Sequence, residues 1–263
     1  MSIRDICDTI TKGLFEVLYN MIFKMLFVLC IVLQIIFVPL FLKAQWPGAC
    51  GKSLFFKMIC ATSFLSMGLL SQHLVNNKSE YALIMLVGLG FGWFGDLFLH
   101  IKNSQKCFGI GFCSFLVGHI VYIIGYVKTL PRVNVEYNPF NPIEIAIVVT
   151  LFVMVLILIK VFKIDIHMKA LKFGCYVYVV LLICMFIKAS SLGLNFWLND
   201  GKYGIFAFVI LALGSFCFVL SDATLGIIMF GGQKRNKPLK VFNIVTYFMA
   251  QSLLASSILF INA

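Results

Sequence analysis

Long apolar runs dominate this sequence and leave few ways for it to fold. A helix of about 20 apolar residues spans the hydrocarbon core of a bilayer. Backbone groups that face lipid must hydrogen bond within their own segment, so each run is predicted to be a helix. Eight runs qualify: Met21–Leu42, Ser53–Val75, Tyr81–Ile101, Phe108–Thr129, Ile143–Phe162, Leu171–Ser190, Tyr203–Phe230 and Val241–Ile261.

Composition supports a membrane protein of the all-α class. Hydrophobic residues make up 62% of the 263 residues and charged residues 12%, and the mean hydropathy is +1.03. Soluble domains carry about 25% charged residues. The sequence predicts a polytopic bundle of about eight transmembrane helices. Residues 1–20 form an N-terminal segment, with Ile3–Tyr19 interpreted as an interfacial helix, and residues 21–263 form one eight-span domain.

The net charge of +11 comes from Lys and Arg in short loops between the runs. Such loops indicate membrane topology and contact with anionic lipids, so membrane lipids are expected as partners and nucleic acid is not. Most of the 21 Lys and Arg residues fall on the face opposite the two termini, which is therefore predicted to be cytoplasmic. The nine cysteines and four histidines show no spacing typical of a disulfide framework or a metal site.

Two aspartates fall inside the predicted spans, and a carboxylate in a span is a candidate for function. Asp96 lies near the end of the third run, in the pattern G-D-x-x-L, and Asp222 lies near the end of the seventh, in the pattern S-D-x-x-L. The two patterns are four spans apart. They therefore indicate a possible parallel repeat of four helices and place both aspartates toward the basic face.

Further polar side chains are predicted in the same half of the bilayer. They are Lys57, His119, Tyr122, Tyr247 and Gln251. His119 and Tyr122 are three residues apart and share a helix face, and Tyr247 precedes Gln251 by one turn. Polar residues in membrane helices often serve only as hydrogen-bonding groups between helices, and that interpretation stays open for His119 and Gln251.

Three kinds of chemistry use a pair of intramembrane carboxylates. Intramembrane aspartyl proteases carry G-x-G-D and Y-D motifs, but here the residues are W-F-G-D and L-S-D, which disfavours proteolysis. A proton-coupled transporter or channel would use the same aspartates to carry protons. An acid–base hydrolase would use one protonated carboxyl as the acid and one ionised carboxylate as its partner.

Several motifs together resemble those of the lysoplasmalogenases, the YhhN-like family of eight-span membrane proteins. Phe91–Leu99 is similar to the family's G-L-x-F-S-x-x-G-D-x-x-L, and Phe108–Tyr122 is similar to F-x-x-G-x-x-x-F-x-x-x-H-x-x-Y. Phe218–Leu225 and Tyr247–Leu253 are close to two further family motifs. The chain departs at Gly92, where the family often has Ser, and after Lys57, where the family often has Pro.

The resemblance implies hydrolysis of the vinyl ether bond of a lysoplasmalogen, giving a fatty aldehyde and glycerophosphoethanolamine or glycerophosphocholine. It implies no metal or organic cofactor, a lysophospholipid as the bound partner, and an intracellular membrane such as the endoplasmic reticulum. Asp96 and Asp222 would then be catalytic. Asp222, predicted to lie deeper, is expected to be the protonated acid because desolvation disfavours the ionised form.

The polar neighbours also receive roles from the resemblance. They would orient water and the glycerol oxygens of the substrate, and Lys57 would meet the phosphate. The orienting residues are His119, Tyr122, Tyr247 and Gln251.

Overall fold

The computed structural model describes residues 3–46, 50–75, 78–101, 105–161, 164, 169–199 and 203–261, and every regular element in these ranges is an α-helix. The fold prediction of an all-α helical bundle is confirmed. The helices are α1 (Ile3–Ala44), α2 (Gly51–Leu74), α3 (Glu80–His100), α4 (Gln105–Val133), α5 (Pro142–Val161), α6 (Lys169–Asn199), α7 (Gly204–Phe230) and α8 (Lys237–Ser257).

Helices α1 to α7 each contain a segment long and apolar enough to cross a membrane. Helix α8 has 21 residues, a length of about 31 Å at 1.5 Å per residue, but it is more polar than the others. It nevertheless packs antiparallel along α7, since Asn243 bonds to Ser221 at one end and Phe260 stacks on Phe206 at the other. Its polar residues therefore face protein, which explains why its hydropathy is low.

The first helix is longer than one span. It runs without a break from Ile3 to Ala44, 42 residues, whereas the sequence divided this stretch into an N-terminal segment and a separate span. At 1.5 Å per residue, such a helix reaches about 63 Å, roughly twice the thickness of the hydrocarbon core. The structure thus joins the predicted interfacial helix and the first span into one element.

Helix starts follow local sequence signals. The Ser79 hydroxyl accepts a hydrogen bond from the Ala82 amide at the start of α3, and the Asn236 side chain accepts one from Leu239 at the start of α8. Both are favoured N-cap residues. Proline stands in the first turn of α5 and of α8, where its missing N–H leaves no helical bond unmade.

Six helices form a closed ring in the order α2, α3, α4, α6, α7, α8, and α3 also contacts α8 across it. Two helices lie outside the ring. Helix α1 packs against α2 and α8, and α5 packs against α6. Only the ring helices therefore surround the interior of the bundle.

The packing pattern repeats after four helices. Helices α1 and α5 are both peripheral, and α3 pairs closely with α4 as α7 does with α8. The two halves meet through α4 against α6 and α8 against α2, which are equivalent contacts if each helix is matched to the one four places later. This arrangement agrees with the parallel repeat suggested by the two aspartate motifs.

Candidate active site

Asp96 is buried on α3 and is held by groups from two other helices. Its side chain is 2% exposed, and its Oδ1 lies 2.9 Å from the Lys57 ammonium on α2. The same ammonium donates to the Asp96 main-chain carbonyl at 3.2 Å, and the Tyr247 hydroxyl on α8 donates to Oδ2 at 2.7 Å. Both carboxylate oxygens thus receive donors, one of them charged, and these donors oppose the cost that burial imposes on the ionised form.

A chain of hydrogen bonds leads to Asp96 from α4 through α8. The Tyr122 hydroxyl on α4 donates to Gln251 Oε1 at 3.0 Å, and Gln251 Nε2 donates to the Tyr247 hydroxyl at 3.2 Å. Tyr247 then donates to Asp96. Each donor in the chain points toward the carboxylate, so the chain fixes the orientation of both tyrosine hydroxyls and of the amide.

Asp222 on α7 has a different set of partners. The Tyr178 hydroxyl on α6 donates to its Oδ2 at 2.5 Å, and His119 Nε2 on α4 lies 2.9 Å from that hydroxyl and 3.5 Å from Oδ2. Since the single Tyr178 proton is given to Asp222, the bond between His119 and Tyr178 requires a proton on Nε2. His119 Nδ1 is buried and has no hydrogen-bond partner among the described residues. The hydrogen bonds therefore place a proton on Nε2 of His119.

Aromatic rings separate the two chains. The Phe218 ring lies 4.8 Å from the His119 ring and 5.7 Å from the Tyr247 ring, measured between centroids. Phe115 lies 5.9 Å from Tyr247 on another side. The two aspartates are nonetheless close enough to interact electrostatically. The site therefore combines two carboxyl groups with apolar walls, an environment in which charge is weakly screened.

Glycines on α3 make room for the side chains that build this site. A methyl group added at Gly88 would lie 2.4 Å from the Tyr122 ring, one at Gly92 would lie 2.4 Å from Gln251 Nε2, and one at Gly95 would lie 2.5 Å from the Phe115 ring. In the structure each one specifically accommodates a side chain from α4 or α8.

All the residues singled out from the sequence fall within this cluster. His119 and Tyr122 share a face of α4, as predicted, but they lead to different aspartates. Lys57, which was expected to meet a phosphate, lies against Asp96. Asp222 was expected to be the more deeply buried of the two aspartates. In the structure the reverse holds, because the Asp222 side chain is 12% exposed and that of Asp96 is 2%.

Sequence reasoning missed Tyr178, the residue that joins His119 to Asp222. Its signal was weak, because a tyrosine in an aromatic-rich span stands out little. The repeat offered a better signal, because α6 is equivalent in the repeat to α2, the helix that carries Lys57. A search of the sixth span for a polar side chain at that level would have found Tyr178. Phe218 was likewise not singled out.

The cluster has no group of side chains typical of a metal site. Within the ranges that the structure describes, no three His, Cys, Asp or Glu side chains are placed to hold a metal ion. The arrangement instead places one carboxylate against an ammonium group and a second one against the Tyr178 hydroxyl and the His119 ring.

The family model of the YhhN family matches residues 52–258, more than three quarters of the chain. The chain belongs to the YhhN family. This family includes lysoplasmalogenases. The matched region contains α2 to α8, and hence the whole six-helix ring with both aspartates, and leaves out α1. No curated protein and no solved structure shows a significant match to the chain.

Proposed function

We propose that this YhhN-family protein is a membrane-embedded hydrolase that cleaves the vinyl ether bond of lysoplasmalogens. The products would be a fatty aldehyde and glycerophosphoethanolamine or glycerophosphocholine. The observation that carries the proposal is the unequal pairing of two neighbouring carboxyl groups, Asp96 with the Lys57 ammonium and Asp222 with the neutral hydroxyl of Tyr178. Family membership and seven membrane-spanning helices support the same reading.

The pairing divides the roles of acid and base. Asp96 receives a charged donor and a tyrosine hydroxyl, which favour its ionised form. Asp222 has no Lys or Arg partner in the described part of the chain, and its contacts are the Tyr178 hydroxyl and the His119 ring. Asp222 is therefore assigned as the acid. The sequence favoured the same residue because of its depth, but the pairing of charges is the better reason.

The reaction needs one proton on carbon and one water molecule. The Asp222 carboxyl transfers its proton to the β-carbon of the vinyl ether, and the α-carbon becomes an oxocarbenium ion whose positive charge the Asp96 carboxylate stabilises. Water adds to that carbon and gives up a proton, which restores the Asp222 carboxyl. The hemiacetal then breaks its bond between carbon and the glycerol oxygen, with a proton moved from the hydroxyl to that oxygen. Aldehyde and alcohol leave together.

The neighbouring groups fit supporting roles. The chain from His119 through Tyr178 would stabilise Asp222 while it is ionised, and the chain ending at Tyr247 holds Asp96 in place. The phenylalanine rings between the two hydrogen-bonded chains suit the alkenyl chain of the substrate. Two N–H groups of the Lys57 ammonium bond to Asp96, one to the carboxylate and one to the main-chain carbonyl. The third N–H group is available for a substrate oxygen or phosphate.

Purified protein in nanodiscs, incubated with a lysoplasmalogen, tests the proposal by the rate of aldehyde release. Asp96→Asn and Asp222→Asn should each lose most of the activity, because an amide can neither donate the acidic proton nor carry the negative charge. Glu136→Gln is the matched control, since Glu136 is an exposed loop carboxylate. Wild-type activity in either aspartate variant contradicts the two-carboxylate mechanism.

The alternative function is a small proton-coupled transporter or channel that uses the same aspartates. Many transporters contain inverted repeats, whereas the repeat in this bundle is parallel, with α3 and α7 running toward the same face. The two functions separate in one preparation. Proteoliposomes that conduct protons through the wild type but release no aldehyde would favour the transporter. Aldehyde release without proton flux favours the hydrolase, which we place in an intracellular membrane such as the endoplasmic reticulum.

A further inference from the structure

A cavity of about 310 Å³ lies where the end of α1 meets the start of α8, away from the two aspartates. We call it the lysine pocket. Three basic side chains line it, Lys43, Lys237 and Lys240, together with Trp46 and the apolar Leu42 and Val241. It opens on the same face as the carboxyl end of α3. Lys240 precedes Tyr247 by seven residues, so the pocket lies about 10 Å from the site along α8.

The ammonium groups in the pocket converge on one ring. Lys237 Nζ lies 4.4 Å from the centre of the Trp46 ring, and Lys240 Nζ lies 5.4 Å from it. Each contact is a favourable cation–π interaction, but two like charges on a single indole repel each other. A bound anion would remove that repulsion.

Carboxylates of the chain do not supply this anion among the described residues. The ion pairs that Lys and Arg form there are Lys57 with Asp96, Lys128 and Arg132 with Glu80, and Lys188 with Glu144. None of them includes a lysine of the pocket. The pocket is therefore a concentration of positive charge with no internal countercharge in the described part of the chain.

We propose that the lysine pocket binds the phosphate of an anionic phospholipid from the surrounding leaflet. Its location carries the choice of ligand. The pocket lies at the basic ends of two membrane helices, and a tryptophan at such a level is typical of the interface where headgroups lie. Lysines near that surface attract anionic lipids. The apolar side chains of Leu42 and Val241 extend from the lysines toward the hydrocarbon layer, where the acyl chains of a lipid would continue.

This inference does not depend on the proposed hydrolase activity. A bilayer lipid held in the pocket would anchor the end of α1 to the start of α8, and so join a peripheral helix to the ring. The ligand is thus a component of the membrane that surrounds the protein, and occupancy should be measurable in protein that turns over no substrate.

Native mass spectrometry of protein released from nanodiscs tests the proposal. With equal amounts of phosphatidylglycerol and phosphatidylcholine, the wild type should retain the anionic lipid preferentially. Each lysine near the surface is expected to contribute about fivefold. The variant Lys237→Gln should therefore reduce the preference about fivefold, and the triple variant Lys43→Gln/Lys237→Gln/Lys240→Gln should reduce it roughly 100-fold. The single variant keeps the test valid if the triple variant fails to fold.

The matched control is Lys52→Gln/Lys106→Gln/Lys234→Gln, which removes the same charge from exposed lysines on the same face. It should keep the wild-type preference. Equal loss in the control would mean that net charge, not the pocket, selects the lipid. Unchanged preference in both pocket variants would also overturn the proposal.

A second arm distinguishes a lipid phosphate from free phosphate. Lipid-free protein in neutral detergent is heated with and without inorganic phosphate at matched ionic strength. The wild type and the triple variant should respond alike, while phosphatidylglycerol should raise the melting temperature of the wild type alone. Stabilisation of only the wild type by inorganic phosphate would identify a site for the free anion and contradict the assignment to lipid.

Discussion

Two regions of the molecule bury the same three kinds of side chain, a carboxylate, a lysine and a tyrosine. In the candidate site these are Asp96, Lys57 and Tyr247. Toward the opposite face Glu144 on α5 pairs with Lys188 on α6 at 2.5 Å and accepts hydrogen bonds from Tyr137 at 3.0 and 3.2 Å. Neither region can be recognised as functional from the triad alone.

The difference lies in what adjoins each triad. The Ser191 hydroxyl gives Glu144 a further donor at 2.7 Å, and the cluster joins the peripheral α5 to the ring. The candidate site, by contrast, contains a second carboxyl group, Asp222, whose partners are the Tyr178 hydroxyl and the His119 ring. A carboxylate such as Glu144, whose oxygens accept bonds from an ammonium group and from hydroxyls, serves to hold helices together. A carboxyl group without a Lys or Arg partner is better suited to exchange a proton. The catalytic assignment therefore depends on Asp222.

The largest expected effect separates the two regions by activity. We expect Asp222→Asn to reduce the turnover rate by roughly 10²–10⁴-fold, the usual contribution of a general acid. Glu144→Gln should keep the turnover rate per folded molecule within about threefold of the wild-type rate. That carboxylate is outside the site, so its loss should mainly lower the stability of the protein. Aldehyde release normalised to the folded fraction measures both. A comparable loss in the two variants would remove the distinction between the regions.

The Glu144 cluster should instead matter for stability. We expect Glu144→Gln to lower the free energy of unfolding by about 3 kcal/mol, because it leaves the mostly buried Lys188 ammonium without its partner. Thermal unfolding in detergent gives the measurement. The double variant Glu144→Gln/Lys188→Met should recover part of the loss, since it removes both charges. If the effects of the two single substitutions simply add in the double variant, the interaction between Glu144 and Lys188 contributes nothing to stability.

Tyr137 should act as a constant donor to Glu144 across the neutral range. Burial raises the pKa of its hydroxyl above the ordinary value, the Glu144 charge adds to that effect, and Lys188 opposes it. The hydroxyl thus stays protonated well above pH 7. The hydrogen bond from Tyr137 to Glu144 therefore persists at neutral pH, in contrast to the proposed proton transfer at Asp222.

The sequence predicted the all-α bundle and the parallel repeat, because membrane helices need long apolar runs and leave polar residues conspicuous. It also indicated both aspartates and the five polar residues around them. It could not predict partners, because these depend on how α4, α6 and α8 meet inside the ring. Lys57 was consequently assigned to a phosphate, and Tyr178 was overlooked. The pattern of apolar spacing also could not show that the first helix is continuous, because an interfacial helix and a separate span would both be helical.

The chain through Tyr178 should have a smaller effect on activity than its aspartate. Tyr178→Phe removes the hydrogen bond to Asp222, and a bond to a charged group contributes about 1.5–3 kcal/mol, so we expect turnover to fall roughly 10–100-fold. The substrate KM should change little, because the bond is strongest when Asp222 is ionised. Steady-state kinetics measures the two effects separately. Tyr176→Phe on the same helix is the control, and an equal effect there would point to general disruption of α6.

The smallest effect concerns the space that glycine leaves on α3. Gly88→Ala would place a methyl group 2.4 Å from the Tyr122 ring, so we expect a loss of about 1–3 kcal/mol in unfolding free energy from overpacking. Gly90→Ala has open space around it and should be neutral or slightly stabilising, because alanine favours a helix. Thermal unfolding of both variants provides the comparison. Equal stability of the two would show that the ring can move aside.

Infrared spectroscopy of the protonated carboxyl group tests the central claim most directly. Wild-type protein in lipid at neutral pH should show the C=O band of a buried carboxylic acid, and this band should shift in heavy water. We expect the band to disappear in Asp222→Asn and to persist in Glu144→Gln. A band that survives in Asp222→Asn but is lost in Asp96→Asn would reverse the assignment of acid and base, and its absence from the wild type would contradict a protonated Asp222 altogether.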